Sequence, residues 1–544
     1  MFQEGLQKGL QEDEQRYLQQ CPPSQPHRTV SDLEVKPLYT PLDIAGVDYQ
    51  RDIGFPGEYP YTRGPFPTGF LSRPWNLRQV VGLGTAEETN QRWKYLLSQG
   101  QTALAVVGAV KSGMGTYGYD TDDERTLGFA GKDGVNLDSL ADYQTLFDGI
   151  DLRRASVHLI TSSAIALACY IAIGEEQGLP PAELRGSMSN AVRPTKECID
   201  IIEYCAREMP SFNATYIDVR NVREAGCTAP QEIAFGVGLG MAAAQAVTAR
   251  GIDIDQFGPR VSWFVNAGPE FFEEVAKFRA MRRLWARTMK ETLGAKDPRS
   301  WRLRAHVQTY APSLTYQQPL NNIVRSTLYA LAAVLGGAQS LSVNSFDEAL
   351  AIPTELSATL SLRTQQIIYF ETGVAGVVDP LGGSYYVESL TNRLEEAARR
   401  ILDQVQTRGG AFQATDWMRE EVRKAAFQHQ KEIEEGQRVW VGVNAFAEEE
   451  DHQLKLVTSN LVPISRYDPA LRDKQIARLE KVRRERDQAR AAAAKERLRA
   501  ALARGENMLP PIIEAVKASL TVGELSQIRR EVLGAEEPHS FFCG

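Results

Sequence analysis

Short apolar runs alternate with longer amphipathic stretches from about residue 56 to residue 400. Seven of these runs have the length and composition of buried strands: LAVVGAV (104–110), SVHLIT (156–161), RGSMS (185–189), ATYIDV (214–219), RVSWFV (260–265), LRAHVQ (303–308) and SLSVN (340–344). Stretches of helical periodicity, such as residues 271–294, separate most of them. Repeated strand–helix units predict a parallel sheet, and this many units favour an α/β protein with a closed (β/α)8 TIM barrel over an open sheet.

The two ends of the chain have a different pattern. Residues 1–55 begin with a short polar helix and continue with CPPSQPHRTV (21–30), which is too rich in proline for a packed element, so they predict an extended N-terminal arm. Residues 401–544 predict a helical C-terminal region. Its run KVRRERDQARAAAAKERLRAALARG (481–505) interleaves acidic residues and alanine with the basic ones, which is typical of a solvated helix rather than of a nucleic-acid arm.

Composition and charge exclude several classes of function. The 544 residues carry a net charge of −8, which argues against a broad nucleic-acid surface. No stretch approaches the roughly 18 apolar residues of a membrane span, and the polar first residues do not resemble a signal peptide. The six cysteines contain no CxxC pair, which suits a reducing compartment. We therefore expect a cytoplasmic protein that contacts neither nucleic acid nor membrane.

The segment YPYTRGPFPTGFLSRPWNLRQ (59–79) is crowded with proline, glycine, aromatic residues and arginine. Proline and glycine argue against a regular helix or strand, so a rigid loop is predicted. Arginine is suited to phosphate because it is always charged and donates two parallel hydrogen bonds. The segment therefore indicates a clamp for a phosphate-bearing ligand with an apolar part, or else a structural loop that pins the arm onto the core.

The same segment resembles TRGPYxTMYxxRPWTxRQ of the adenosylcobalamin-dependent acyl-CoA mutases, that is, the methylmalonyl-CoA mutase family with its isobutyryl- and 2-hydroxyisobutyryl-CoA relatives. The matching positions are Thr62, Arg63, Gly64, Pro65, Thr68, Arg73, Pro74, Trp75, Arg78 and Gln79. The resemblance extends over about residues 40–535 and implies a TIM barrel that binds an acyl-CoA substrate. It implies that the CoA moiety is held by Thr68, Arg73 and Arg78, by Arg260 and Ser262 in GPRVSWF, and by Gln339 in GGAQSL.

Two further motifs resemble the reactive part of that family. In QSLSVNSFDEA, Asn344 and Glu348 match residues that bind the adenosyl group. In LRAHVQT, His306 and Gln308 match a pair near the acyl group and the cofactor, and strand alternation places both on one face. The resemblance thus implies adenosylcobalamin as the cofactor and His306 and Gln308 as catalytic residues.

The segments closest to the acyl group depart from the family. Arg220 and Asn221 in DVRNVREAG stand where the family has a tyrosine and the histidine that hydrogen-bonds the thioester carbonyl. Asparagine donates a hydrogen bond but is no general acid near neutral pH, so we expect Asn221 only to polarise the carbonyl.

Other departures change the predicted acyl pocket. Val80 replaces a tyrosine, as in the 2-hydroxyisobutyryl-CoA type, and Ser187 and Ser189 replace a threonine and a glutamine. The family's loop with the arginine for the substrate carboxylate is absent after GSMSNAVRP (186–194). A buried carboxylate without a partner is costly, so the sequence predicts an acyl group larger or less polar than methylmalonyl.

The family's DxHxxG signature for cobalamin is absent, because none of the six histidines lies in such a motif, and no metal-ligand set is predicted. The resemblance therefore implies a small cobalamin-binding subunit as partner, and a homodimer or heterotetramer. Three functions remain open: an atypical acyl-CoA mutase large subunit, a cobalamin-independent lyase, hydratase or cyclisation enzyme acting on an acyl thioester, and a non-catalytic CoA-binding subunit of an active mutase.

Overall fold

The structure is a computed structural model that describes residues 2–20, 27–82, 84–108, 118–129, 134–190, 195–461 and 469–534. Within these ranges the strands are β1 (His27–Arg28), β2 (Glu34–Val35), β3 (Asn76–Val81), β4 (Ala103–Val107), β5 (Ser156–Ile160), β6 (Gly186–Met188), β7 (Phe212–Asn213), β8 (Thr215–Asp218), β9 (Val261–Ala267), β10 (Ala305–Thr309) and β11 (Ser340–Ser342).

The α-helices of the described part are α1 (Phe2–Gln20), α2 (Ala86–Ser98), α3 (Leu140–Leu146), α4 (Ala164–Glu176), α5 (Lys196–Glu208), α6 (Arg220–Glu224), α7 (Ala229–Thr248), α8 (Ile254–Phe257), α9 (Phe271–Arg287), α10 (Asn321–Leu335), α11 (Glu355–Phe370), α12 (Tyr385–Thr407), α13 (Thr415–Glu434), α14 (His452–Asn460), α15 (Pro469–Glu485), α16 (Gln488–Ala503), α17 (Leu509–Lys517) and α18 (Val522–Leu533). None of the helices within the described ranges has the length and apolarity that a membrane span requires.

Strands β3 to β11 form one parallel sheet in the order β7-β6-β5-β4-β3-β11-β10-β9-β8. The two edges of this sheet belong to one segment of chain, because Ala214 alone separates β7 from β8. β7 pairs with β6 through Gly186 and Phe212, and β8 pairs with β9 through Thr215 and Val261. The segment therefore joins both edges, and the predicted TIM barrel is confirmed.

The seven predicted strands are present within a few residues of the predicted bounds, although residues 109–110 of the first lie outside the described ranges. The prediction of a loop through Gln79 was wrong at its end, because β3 begins at Asn76. Pro74 is the last residue there that lacks a backbone N–H, and from Asn76 onward each residue can join a ladder. Leu77 and Val81 are buried on the outer face of this strand, against the helices.

Helix α4 shows how the C-terminal helices contact the barrel. It is apolar all round, from Ala164 to Gly174, and every one of these residues is buried. A helix without a polar face must be buried on both sides. The barrel covers one side of α4, and α17 covers the other through Ile512 and Val516, which belong to the same apolar cluster.

Ion pairs and hydrogen bonds connect both ends of the chain to the barrel. Asp200 of α5 accepts hydrogen bonds from Lys196 Nζ (2.8 Å), Arg250 Nη1 (2.6 Å) and the backbone N–H of Met508 (3.0 Å), and thereby holds the segment before α17. In the described part of the arm, the carbonyl of Asp52 accepts a hydrogen bond from Arg283 Nη1 of α9 (3.0 Å). These parts of the arm thus contact the helices of their own barrel.

Candidate active site

A cavity of about 200 Å³ opens among the first residues of the barrel strands, at Asn76 of β3, Ser156 of β5, Ser262 of β9 and Ser340 of β11. We call it the lower cavity. Its lining contains the cations Arg73, Arg78 and Arg304, and none of its described lining residues is acidic. A cavity with cations and no acid in its walls attracts an anionic ligand.

Arg78 is the most unusual of these cations. It lies on β3 with only 5% of its surface exposed, and its Nε has no hydrogen-bond partner among the described residues. Burial lowers its pKa to about 10, still well above neutral pH, so the side chain remains charged. A buried charge without a partner disfavours the empty state and favours a ligand that brings acceptors.

The other predicted CoA residues surround the same end of the barrel. Arg73 is exposed and, with Ser262 and Gln339, lines the lower cavity. The Gln339 side chain accepts a hydrogen bond from the backbone N–H of Ala305 (2.7 Å), which fixes it between β10 and β11. Arg260 directly precedes β9. Burial lowers the pKa of Arg304 to about 10, and the nearby charge of Arg260 is the second cause.

Thr68 lies farther out than the other predicted CoA residues. It is exposed in the loop before β3, two residues from Phe66 of the cavity wall, and its Oγ1 lies 2.8 Å from Ser72 Oγ. The structure therefore gathers Arg73, Arg78, Ser262 and Gln339 around one space, with Arg260 and Thr68 at its margin.

A second cavity, of about 320 Å³, opens among the last residues of the strands and includes Val80 of β3, Ile160 of β5, Gln308 of β10 and Ser342 of β11. We call it the upper cavity. The carboxyl ends of barrel strands are where TIM-barrel enzymes carry their active sites.

The predicted adenosyl-binding residues lie in the upper cavity. Gln308 Nε2 donates to Asn344 Oδ1 (2.6 Å), and Asn344 Nδ2 donates to the carbonyl of Thr309 (2.7 Å), so both amides have a fixed orientation. The Glu348 carboxyl is exposed to the space of the cavity but has protein on most sides, and this burial raises its pKa to about 7. The wall thus offers amide and carboxyl groups suited to the hydroxyls of a ribose.

Arg220 also lines the upper cavity, but its charge is paired. Its guanidinium lies 2.8 Å from Glu224 and 5.2 Å above the ring of Phe264. It also donates to Asn221 Oδ1 (3.1 Å). With a carboxylate already bound to it, Arg220 is a poor replacement for the carboxylate-binding arginine of the missing loop.

Asn221 does not share a cavity wall with His306 or Gln308. Its Nδ2 donates to Asp218 Oδ2 (2.9 Å), its Oδ1 accepts from Arg220, and it belongs to the lining of neither cavity. The residues from 191 to 194, where the predicted loop deletion falls, lie outside the described ranges.

Four aromatic side chains lie between the two cavities, and we call them the aromatic layer: His158, Tyr216, Phe264 and His306. Successive ring centroids are 5.1 Å (His158–Tyr216), 5.4 Å (Tyr216–Phe264), 5.1 Å (Phe264–His306) and 6.5 Å (His306–His158) apart, which closes a circuit across the barrel interior. Tyr216 and His306 line the lower cavity and Phe264 lines the upper one. His306 is anchored by Ser340, whose Oγ lies 2.9 Å from its Nδ1.

His158 was not among the predicted site residues. Its Nδ1 lies 2.7 Å from Ser187 Oγ and its Nε2 lies 3.1 Å from Ser189 Oγ. The signal that marks it is strand alternation, because Val157 and Leu159 belong to the outer apolar cluster and His158 between them must face the interior. Ser187 and Ser189, predicted as acyl-pocket residues, are thus the hydrogen-bond partners of a histidine.

Comparison with known proteins identifies the family to which this barrel belongs. The family model described as "Methylmalonyl-CoA mutase" matches residues 28–535. The chain belongs to the methylmalonyl-CoA mutase family. It is 42% identical over 528 residues to the 2-hydroxyisobutanoyl-CoA mutase large subunit of Aquincola tertiaricarbonis, covering 93% of this chain and 92% of that protein.

Other members of the methylmalonyl-CoA mutase family are nearly as similar. The methylmalonyl-CoA mutase of Cereibacter sphaeroides is 40% identical, and the matched region is 94% of this chain and 73% of that protein. The methylmalonyl-CoA mutase of Rhizobium meliloti is 39% identical, and the matched region is 93% of this chain and 72% of that protein. Membership of the methylmalonyl-CoA mutase family makes the protein an isomerase of the acyl-CoA mutase type.

Proposed function

We propose that the protein is the large subunit of an acyl-CoA mutase that rearranges the carbon skeleton of an acyl group other than methylmalonyl, with adenosylcobalamin supplied by a separate small subunit. One observation carries the proposal. Four of the six residues matched to CoA binding line the lower cavity, those matched to adenosyl binding line the upper cavity, and β10 connects the two cavities through His306 below and Gln308 above.

The lower cavity suits the CoA end of the substrate. Arg78 is a buried cation there, Arg304 is a half-buried one, and Arg73 is exposed. Charge-assisted hydrogen bonds from such groups to phosphate or carbonyl oxygens are about twice as strong as neutral ones. In this arrangement the nucleotide lies at the amino ends of the strands and the acyl thioester points up the barrel toward the aromatic layer.

The acyl pocket suits a group without a free carboxylate. Val80 is a small aliphatic wall of the upper cavity, and the cation of Arg220 is already paired with Glu224. The similarity to a 2-hydroxyisobutanoyl-CoA mutase large subunit also supports a substrate other than methylmalonyl-CoA.

The residues of the upper cavity fit the adenosyl part of the cofactor. Asn344, Glu348 and Gln308 present oriented amide and carboxyl groups around a space of about 320 Å³. When bound, adenosylcobalamin supplies radical hydrogen-atom transfer. The chain itself orients the ester, and its aromatic layer keeps water from the reacting carbon atoms. Since the upper cavity opens at the carboxyl ends of the strands, a small cobalamin-binding subunit would dock over Glu348 and Ile352 at its rim.

Reconstitution tests this function. The purified chain is mixed with adenosylcobalamin and a cobalamin-binding small subunit, and a panel of acyl-CoA esters is added while the cobalamin absorption spectrum and the ester masses and retention times are followed. The proposal predicts a spectral change that requires one ester, together with an isomerised product. The variant Asn344→Ala should still bind that ester but lose the spectral change, because its side chain belongs to the upper cavity. Binding of an ester with turnover that needs no cobalamin would contradict the proposal and favour cobalamin-independent chemistry.

A further inference from the structure

We propose that His158 is a positioning and specificity-determining residue of this enzyme: it fixes the hydroxyls of Ser187 and Ser189 and limits the room for an acyl group in the region of the aromatic layer between the two cavities, which we call the passage, and so selects the acyl group. This inference rests on the proposed function, since it assumes that an acyl thioester occupies that passage.

Two serine hydroxyls hold the side chain of His158. Its imidazole lies along β6, with Nδ1 at Ser187 Oγ (2.7 Å) and Nε2 at Ser189 Oγ (3.1 Å). A neutral imidazole donates at one nitrogen and accepts at the other, and a hydroxyl can do either. The two ring nitrogens of His158 and the two serine hydroxyls can therefore form one continuous series of hydrogen bonds. Ser187 also lines the lower cavity, so the orientation of its hydroxyl toward a ligand depends on His158.

Burial sets the charge state of the site. His158 is 2% exposed, and burial together with the nearby cation of Arg78 holds its pKa well below the ordinary value of a histidine. The other groups that face it are His306, whose pKa is lowered by the same causes, and Tyr216, whose pKa burial raises. Since these three side chains are neutral, the passage offers an acyl thioester neutral hydrogen-bonding groups beside the buried cation of Arg78.

His158 also occupies space beside the two serines. In the resembling mutases the two corresponding positions carry a threonine and a glutamine, whereas Ser187 of β6 and Ser189 just after it are smaller here. The imidazole of β5 occupies the room beside these serines and completes the aromatic layer between the cavities. A smaller side chain at position 158 would therefore widen the passage at the level where the acyl group is expected.

Two variants separate the effects of hydrogen bonding and size. His158→Phe keeps a ring but removes both hydrogen bonds, and His158→Asn keeps a polar group near Nδ1 but opens space. His429→Phe is the matched control, because His429 stacks edge-on against Trp440 outside the barrel, at a ring distance of 6.0 Å. Calorimetry would measure the affinities of free CoA and of a series of acyl-CoA esters of increasing chain length, and melting curves would report folding.

For His158→Phe we expect free CoA to bind within twofold of the unmodified protein and the preferred acyl-CoA about tenfold more weakly, as for the loss of one or two ordered hydrogen bonds. For His158→Asn we expect the preference to move toward longer esters by about tenfold for two extra methylene groups. The His429→Phe control should change neither quantity.

Free CoA is the internal reference that separates the possible outcomes. If free CoA and all esters weaken in parallel in the folded variants, His158 has only a structural role and the inference is wrong. Unchanged ratios of ester affinities in both folded variants would overturn it equally, and either variant alone suffices for this comparison if the other does not fold. If the unmodified protein binds no free CoA, the proposed function itself fails, and this inference with it.

Discussion

Replacing Arg78 by methionine should make the empty protein more stable and the ligand-bound protein weaker. The guanidinium is 5% exposed, its Nε has no partner among the described residues, and none of the described residues lining the lower cavity is acidic. Methionine fills a similar volume without a charge. The gain should therefore equal the cost of holding that charge in the barrel.

The pKa of Arg78 gives the size of this cost. Burial lowers it from an ordinary value above 12 to about 10, and at about 1.36 kcal/mol per pKa unit the charged form costs the folded state about 3 kcal/mol. Because the folded pKa lies below the unfolded one, the cost is present in full at pH 7 and declines only as the pH rises above about 10. Any screening of the charge lowers this cost, so 3 kcal/mol is an upper value.

Urea unfolding at pH 7, with and without CoA, measures both effects. Arg78→Met should raise the free energy of unfolding of the empty protein by about 1–3 kcal/mol, and CoA should stabilise it far less than it stabilises the unmodified protein, since the ligand no longer meets the cation. Arg78→Lys is the matched control, because it keeps a buried charge and should leave the stability of the empty protein nearly unchanged. Equal stability changes in the Met and Lys variants would show that the buried charge does not destabilise the empty protein, and full stabilisation of the Met variant by CoA would show that the Arg78 cation does not bind the ligand.

Three further predictions concern other parts of the molecule. The pKa of Glu348 is raised to about 7, so 5′-deoxyadenosine should bind more tightly as the pH rises from 6 to 8, because a carboxylate accepts hydrogen bonds better than a carboxylic acid; Glu348→Gln should remove this dependence in equilibrium dialysis, and a retained midpoint would contradict it. Asp200→Asn should lower the free energy of unfolding by about 3 kcal/mol and expose the segment before α17 to protease, since the negative charge between two cations is lost and an amide NH2 replaces one of the two acceptor oxygens; resistance equal to that of the parent would count against this anchor. Asn221→Ala should change acyl-CoA affinity less than twofold, whereas His306→Phe should lower it more than tenfold; a tenfold loss with Asn221→Ala would restore this residue as the donor to the thioester carbonyl.

The fold could be predicted because seven of the nine strands of the sheet lie in short runs that helical stretches separate. The exceptions are the two-residue β7 and β3, and β3 shows what the pattern misses. β3 begins directly after Pro74 and Trp75 and carries Arg78 and Gln79, so its composition is that of the loop before it. It is a strand because β4 pairs with it on one side and β11 on the other. These are tertiary contacts, which the local sequence pattern cannot predict.

The candidate site could be predicted only where its motifs are long. Gln339 lies far along the chain from Arg73 and Arg78, yet the resemblance assigns all three to one ligand, and the structure places them around the lower cavity. The sequence analysis did not select His158, because a single histidine in an apolar strand belongs to no motif. Its contact with Ser187 depends on the register of β5 and β6, which sets the two residues opposite each other. Asn221 was chosen by position in a motif, but the contacts of its side chain with Asp218 and Arg220 follow from the turn into α6.

The central claim is that an acyl-CoA lies along the barrel interior, with its nucleotide at the amino ends of the strands and its acyl group between the cavities. A crystal or cryo-EM structure of the protein with a bound acyl-CoA ester tests it most directly. The account predicts the CoA phosphates at Arg73 and Arg304, and the thioester within hydrogen-bond distance of the aromatic layer at His306. An ester bound on the outside of the barrel, or entering from the upper cavity with its acyl group pointing down, would contradict it.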